Sequence, residues 1–262
     1  MPRRPKAHPK ISSGSRGAKP KRAKGEETRD RIHAAALSLF RKKGFDATTM
    51  RDVAGAADVA LGAAYYYFPS KEALVLAYYQ RTHAKSTAQA ETVFAATDDL
   101  RARLGAVFHA RVDVLARDRK LLAALFRSIA DPSAAASIFG EHTQTIREDS
   151  IDVIDRAIAP SPELALLDDE ARRVLVLALW SLHMGVILYF IHDSSPKQQR
   201  TRALVDSSLD LVASLLPLAP ALFPLFGQAI GTILADAGLV GTGRSAERAP
   251  AAPALGARTD KR

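Results

Sequence analysis

The chain has 262 residues, 47% of them apolar and 25% charged, and contains no cysteine. Those fractions exclude a wholly disordered or collagen-like chain, and the length supports one or two domains with a real core. Without a thiol the chain forms no disulfide, thiolate zinc site, iron–sulfur cluster or thiol switch.

The formal net charge of +9 points to a polyanionic partner, but its location says more than its size. Residues 1–25 carry nine bases and no acid, which leaves 28 bases against 28 acids in the remainder. The same stretch holds Pro2, Pro5, Pro9 and Pro20 and the run Ser12, Ser13, Gly14, Ser15, so it reads as a disordered basic arm. Two uses stay open for it: gripping DNA phosphates, or solubilising the chain. It lacks the apolar core of a signal peptide, and on that ground the chain reads as cytoplasmic.

From Thr28 the pattern turns helical, with Ile32, Ala35, Ala36, Leu39 and Phe40 on one face. Arg41, Lys42 and Lys43 suit a last turn, and Gly44 stands where a helix-ending glycine belongs. Thr49-Met50-Arg51-Asp52 fits a capping box opening a second, short helix, whose buried side is Met50, Val53, Ala54 and Ala57. Asp58 interrupts, and a third short helix spans about Leu61 to Tyr67. Ser70 is placed to cap a long helix from Lys71. Three helices in so short a stretch, two joined by a tight turn, describe a helix-turn-helix.

Beyond Ala84 the pattern predicts helices near 72–95, 99–117, 119–130, 141–158, 168–192 and 198–216, and a weaker one at 222–238. No stretch alternates as strands do. Asp131-Pro132 and Ala159-Pro160-Ser161-Pro162 mark breaks, and a Gly-, Ala- and Pro-rich tail over 241–262 reads as disordered. Val174 to Ile191 is apolar enough to suggest a membrane span. Its interruptions at Ser181, His183 and Gly185, and the lack of a second clear span, favour a buried helix of a soluble protein.

Residues 28 to about 76 resemble the DNA-binding domain of the TetR (tetracycline repressor-like) family. The carrying residues include Ala35-Ala36, Leu39-Phe40, Gly44-Phe45, Thr48-Thr49-Met50-Arg51-Asp52-Val53-Ala54, Val59 and Tyr65-Tyr66-Tyr67-Phe68-Pro69-Ser70-Lys71-Glu72. The resemblance implies an all-α fold: a helix-turn-helix domain over 26–86, then a helical ligand-binding and dimerisation domain over 87–240. It further implies a homodimeric, ligand-released repressor of a double-stranded, near-palindromic DNA operator, its half-sites about 34–36 Å apart.

Carried over by position, Leu61, Gly62, Ala63 and Tyr65 face bases. Thr49 lies toward a phosphate, Arg51 reaches a guanine or a phosphate, and Tyr66, Tyr67 and Lys71 lie on the DNA backbone. The bland reading of Tyr65 is core packing. Asp58 replaces the usual turn glycine and Ala60 the usual capping serine. The base-facing surface Leu61, Gly62, Ala63, Ala64 offers few hydrogen bonds to base edges, which shifts specificity toward Arg51 and DNA shape.

The resemblance places dimer contacts on the helices near 168–192 and 198–216, with Leu204, Val205, Leu209, Val212 and Leu216 on the second. Candidate effector-pocket residues are Phe108, His109, Phe126, Arg127, Trp180, His183, Met184 and Tyr189, with His183 most simply a hydrogen-bonded core histidine. The effector is an unknown small molecule. The sequence shows no metal spacing, cofactor motif, nucleophile motif or phosphate-cradling glycine loop, so a helical enzyme is disfavoured. A non-specific architectural protein driven by the basic arm is the other competing class.

Overall fold

The computed structural model describes residues 21–129 and 143–236, excepting the side chains of residues 21, 22, 124 and 126–129. The expectations for residues 1–20 and 237–262, the break at 131–132 and the Phe126 and Arg127 side chains therefore lie outside the described residues. Every described element is helical. The chain divides into two compact units between Tyr78 and Tyr79, inside one long helix.

The first unit holds α1 (Lys21–Lys43), α2 (Met50–Ala56), α3 (Leu61–Tyr67) and the start of α4 (Lys71–Phe94). Helix α1 begins seven residues before Thr28, so residues 21–25 belong to a helix and not to a disordered arm. Lys, Arg, Ala and Glu are good helix formers, and extending an anchored helix backwards adds one hydrogen bond per residue fixed. Around Ile32, Ala36, Phe40, Val53, Phe68 and Leu74 the unit closes a dry core.

The second unit continues α4 and adds α5 (Leu100–Leu115), α6 (Arg119–Ile129), α7 (Gln144–Ile158), α8 (Asp169–His192), α9 (Gln199–Leu215) and α10 (Ala219–Asp236). Asp99 and Asp168 cap α5 and α8 by accepting from the N–H of Ala102 and Ala171, both at 2.7 Å. One core gathers Leu104, Phe108, Ile154, Trp180, Val186, Val205 and Leu209.

Two charged groups stitch this unit over long distances in sequence. Arg103, 7% exposed, donates to the carbonyls of Phe94 and Thr97 past the end of α4, and to those of Arg156 and Ala157 at the end of α7. Its guanidinium also lies 4.4 Å from the Phe94 ring centroid. A helix C-terminus presents carbonyls without intrahelical partners and partial negative charge, so one guanidinium serves two such ends. Asp193, at the end of α8, accepts from the backbone N–H of Ser195 and from the N–H and hydroxyl of Thr201 in α9. Burial opposes charge on Asp193, but these bonds outweigh it and hold its carboxyl well below the usual carboxylate range.

The interface positions read from the sequence on α9 need correction. Val205, Leu209 and Leu216 are buried in the unit's own core, because the face carrying them packs on α5. The apolar residues that α9 leaves exposed are Leu204, Leu211 and Leu215. A second span also meets the length and apolarity of a membrane crossing: Pro196–Asp236, in which an 18-residue window has a mean hydropathy of 1.8. The sequence pattern missed it because a single 3-10 turn at Leu216–Leu218 joins α9 to α10, a helix with no charge before Asp236. Half of the corresponding window in α8 is buried inside the protein, as a core helix requires.

Candidate functional site

In the first unit the turn between α2 and α3 is set by local chemistry. Gly44 adopts φ 88, which ends α1 with a left-handed residue. Thr49 then caps α2 reciprocally. The Asp52 N–H donates to the Thr49 hydroxyl at 3.1 Å, and the Thr49 N–H donates to the Asp52 carboxylate at 2.8 Å. The Thr49 hydroxyl also donates to that carboxylate at 2.7 Å, and the Lys43 ammonium reaches the same oxygen at 2.7 Å. Led by the Lys43 bond, these donors hold the Asp52 carboxyl well below its ordinary range. Asp58 sits at φ 51 in the turn, and Ala60 opens α3 with no side-chain cap.

The sequence-derived interface residues fall into three groups. Arg51, Leu61, Gly62, Tyr65 and Tyr66 are exposed, and Arg51 makes no hydrogen bond or ion pair among the described residues. At 48% exposure Tyr65 is not a core residue, and Tyr66 is 82% exposed. Ala63 and Tyr67 are half-buried; the Tyr67 hydroxyl lies 3.5 Å from where a side chain at Gly25 would begin.

Two residues are held inward. Ala64 is completely buried, so it cannot belong to an outward-facing surface. Lys71 donates to the carbonyls of Phe45 and Asp46 at 2.9 and 3.3 Å and lies 4.5 Å from the Phe45 ring centroid. Its ammonium pins the loop between α1 and α2, leaving it less free for an external phosphate than the sequence reading assumed.

The second unit contains a chamber of about 420 Å³, within the range typical of small-molecule sites. Leu115, Leu122, Ile146, Met184, Ile187 and Ile191 supply apolar wall, and Tyr79, Thr82, His83, Arg111, Arg147, Ser150 and His183 supply polar groups. Of the residues read as pocket candidates, Trp180, His183 and Met184 line it. Phe108 is buried behind it, its ring 4.8 Å from that of His183. His109 is turned away to Asp206, with its Nε2 3.0 Å from that carboxylate. Tyr189 lies on the outer surface of α8.

The main omissions are His83 and Arg111. Each lies on a helix whose apolar pattern gives no sign of which turn faces a cavity, and the two are 28 residues apart. An Arg111 nitrogen donates to His83 Nδ1 at 2.6 Å. Burial pushes the His83 imidazole down to about 4, and the Arg111 charge adds to the effect. His183 is 1% exposed, and neither ring nitrogen has a hydrogen-bond partner among the described residues, contrary to the reading of a satisfied core histidine. Burial first, then the charge on Arg111, lowers it to about 3, so the ring is neutral at physiological pH.

The first unit thus presents an exposed α3 behind a tight turn, and the second contains a chamber among its helices. Sequence and structure comparisons agree on the assignment. The model of bacterial regulatory proteins of the TetR family matches residues 32–78, and that of the tetracyclin repressor-like C-terminal domain matches residues 103–226.

The chain belongs to the TetR family.

The first of the two models is that of bacterial regulatory proteins and the second that of a repressor-like C-terminal domain. The HTH-type transcriptional repressor KstR of Mycolicibacterium smegmatis is 34% identical over 114 residues, covering 43% of this chain and 56% of that protein. The uncharacterized regulator YerO of Bacillus subtilis is 46% identical over 50 residues, covering 19% of this chain and 17% of that protein. The matches thus span from under a fifth to about half of those relatives' lengths. Among solved TetR structures, a regulator from Syntrophomonas wolfei superposes with a TM-score of 0.59 at 17% identity, covering 72% of this chain and 96% of that one. Bacillus subtilis FadR in complex with stearoyl-CoA gives a TM-score of 0.56 at 18% identity, covering 71% and 97%.

Proposed function

We propose that this TetR-family regulator is a cytoplasmic homodimeric repressor that binds a near-palindromic operator and leaves it when a small molecule occupies the chamber. The chamber is the observation that carries the ligand-responsive part: a dry core helix, α8, is opened beside α4, α5 and α7 at some loss of packing. That KstR is named a repressor, and that FadR was crystallised with an acyl-CoA, support the same reading. Ligand binding shifts the equilibrium only by its differential affinity for the operator-competent and released states.

In this reading Leu61, Gly62 and Tyr65 meet base edges while Tyr66 and Thr49 lie along the DNA backbone. Among the described residues nothing lies within 4 Å of where a side chain at Gly62 would begin, so their packing does not require a glycine there. Its use is close approach of the α3 backbone to the groove. Arg51 is the residue free to make a bidentate bond to guanine. The exposed apolar residues of α8 and α9 (Leu188, Tyr189, Leu204, Leu211, Leu215) form the face that a second copy covers.

Selection of DNA from a random pool by the purified full chain tests the reading: a palindrome supports it, and no enrichment refutes it. On the selected site, Arg51→Ala costs about 1–3 kcal/mol concentrated at one symmetric base position. A loss spread evenly over all sequences reassigns Arg51 to a phosphate.

A further inference from the structure

Helix α8 turns one stripe to the chamber: Trp180, His183, Met184, Ile187 and Ile191, at i, i+3, i+4, i+7 and i+11. Its first two members lie at a buried end, Trp180 being 2% and His183 1% exposed. The Trp180 indole nitrogen and both His183 ring nitrogens are buried with no hydrogen-bond partner among the described residues. A fold meets nearly all of its buried polar groups, because an unmet one is costly. Two such residues one helical turn apart beside a cavity mark a place for a ligand's polar group.

Most other polar groups of the wall are already engaged. Arg111 donates to His83 Nδ1 at 2.6 Å, the Thr82 hydroxyl to the Tyr79 carbonyl at 3.0 Å, and the Ser181 hydroxyl to the Leu177 carbonyl at 2.8 Å. Tyr79, Thr143 and Arg147 have interaction partners too. What stays unmet at the buried end is therefore uncharged. The His183 imidazole, neutral at physiological pH, holds one N–H and one lone pair, and the indole holds only an N–H.

A second void of about 10 Å³, room for about one water molecule, borders His183 and Thr87, whose hydroxyl is buried without a partner among the described residues. One water there would serve Thr87 and a single imidazole nitrogen, leaving the other for the chamber. Whether that nitrogen donates or accepts, a hydroxyl answers it, because a hydroxyl does both. A carbonyl or an ether answers only a donor. A carboxylate would be desolvated beside guanidinium groups that are already engaged, and an ammonium would meet their charge.

We propose that the chamber takes an uncharged apolar molecule through a hydroxyl group, which hydrogen-bonds the His183 ring at the buried end, with the Trp180 N–H as a second donor. The remainder of the molecule lies along Met184, Ile187 and Ile191 and against Leu115 and Leu122. This names the ligand class of the proposed effector site and rests on that reading.

Trp180 is the chain's one tryptophan and lines the chamber, so its fluorescence reports occupancy. The full-length protein, free of DNA, is titrated at neutral pH with 1-octanol, 4-cyclohexyl-1-butanol and 2-(1-adamantyl)ethanol. Each is set beside its matched carboxylic acid, amine and alkyl chloride, the chloride filling the same room with no donor and hardly an acceptor. The alcohols bind about tenfold or more tightly than the acids and amines, and about fivefold more tightly than the chlorides. In His183→Leu the alcohol-over-chloride ratio falls to about one or below while chloride affinity is retained. Should that variant fail to fold, the wild-type ratios and the same titration of His183→Phe, in which the ratio also falls, carry the test.

No saturable binding by any of the three alcohols, acids or amines binding as tightly as alcohols, or an undiminished ratio in a folded His183→Leu each overturn the proposal. Operator release is measured separately. Alcohols that fill the chamber without releasing the operator overturn the repressor reading and leave this one standing. Release by a charged compound alone does the reverse.

Discussion

In the helix-turn-helix unit the bonds that cap and end the short helices span three or four residues (Thr49 with Asp52, Ser70 with Ala73, Thr48 with Gly44), while Lys71 and His33 reach further, to Phe45 and Leu74. In the helical unit polar side chains reach across the sequence. Arg103 meets carbonyls 53 and 54 residues away, and Arg101 and His109 of α5 both bond Asp206 of α9. The first unit uses many of its polar groups to shape short helices and leaves Leu61, Gly62, Tyr65 and Tyr66 of α3 exposed. The second uses them to hold long helices together around a chamber. The proposed function uses both: an exposed α3 to meet DNA and a chamber to take a small molecule.

The largest expected break in this contrast is Arg103→Met. It removes the shared donor from four buried or half-buried carbonyls and should cost about 3 kcal/mol, read as a lower denaturation midpoint. A loss under about 1 kcal/mol would mean that water replaces the guanidinium there.

The second break is a pH effect. Because the folded His183 titrates near 3 while an unfolded histidine titrates near 6.5, below pH 6.5 the unfolded chain binds a proton that the folded chain refuses. Stability is therefore complete above 6.5 and falls on acidification, by about 2 kcal/mol from this residue between pH 7 and pH 5, with His83 adding to it in the same direction. Thermal unfolding across that range measures the slope, and His183→Leu should flatten it. An unchanged slope would relocate the effect to other groups.

Smaller changes probe the local side of the comparison. Thr49→Ala removes the cap of α2 and should cost about 1 kcal/mol of stability, with a matching fall in operator affinity. Asp58→Gly should stabilise the unit by about 0.5 kcal/mol, since φ 51 is a conformation glycine adopts without a side-chain penalty. Destabilisation by that substitution would show that the Asp58 carboxylate holds the turn by a bond of its own.

The same contrast explains what was legible in the sequence. Gly44, the Thr49–Asp52 box, Asp58 and Ser70 act within a turn of themselves, so their spacing alone places them. Helix ends in the second unit were found to within a few residues by the same kind of signal. The chamber was not legible in that way. Its lining comes from α4, α5, α6, α7 and α8, and a residue such as Arg111 differs from any exposed arginine only through what lies opposite it. The sequence could flag His183, because a polar residue in so apolar a helix stands out, but not the absence of a partner. It misplaced His109 and Tyr189 for the same reason, since helical period assigns a face and not the neighbour that face meets.

The Arg103 clasp also limits how this chain can tolerate insertions and deletions. Two connections, residues 95–99 after α4 and 159–161 after α7, bracket the carbonyls that one guanidinium gathers. Adding or removing a residue in either would move one helix end out of reach while the other stayed, so the two loops have to keep their lengths together. Length variation among relatives that retain this arginine should therefore collect elsewhere, and a relative with a changed loop there should have lost the arginine as well.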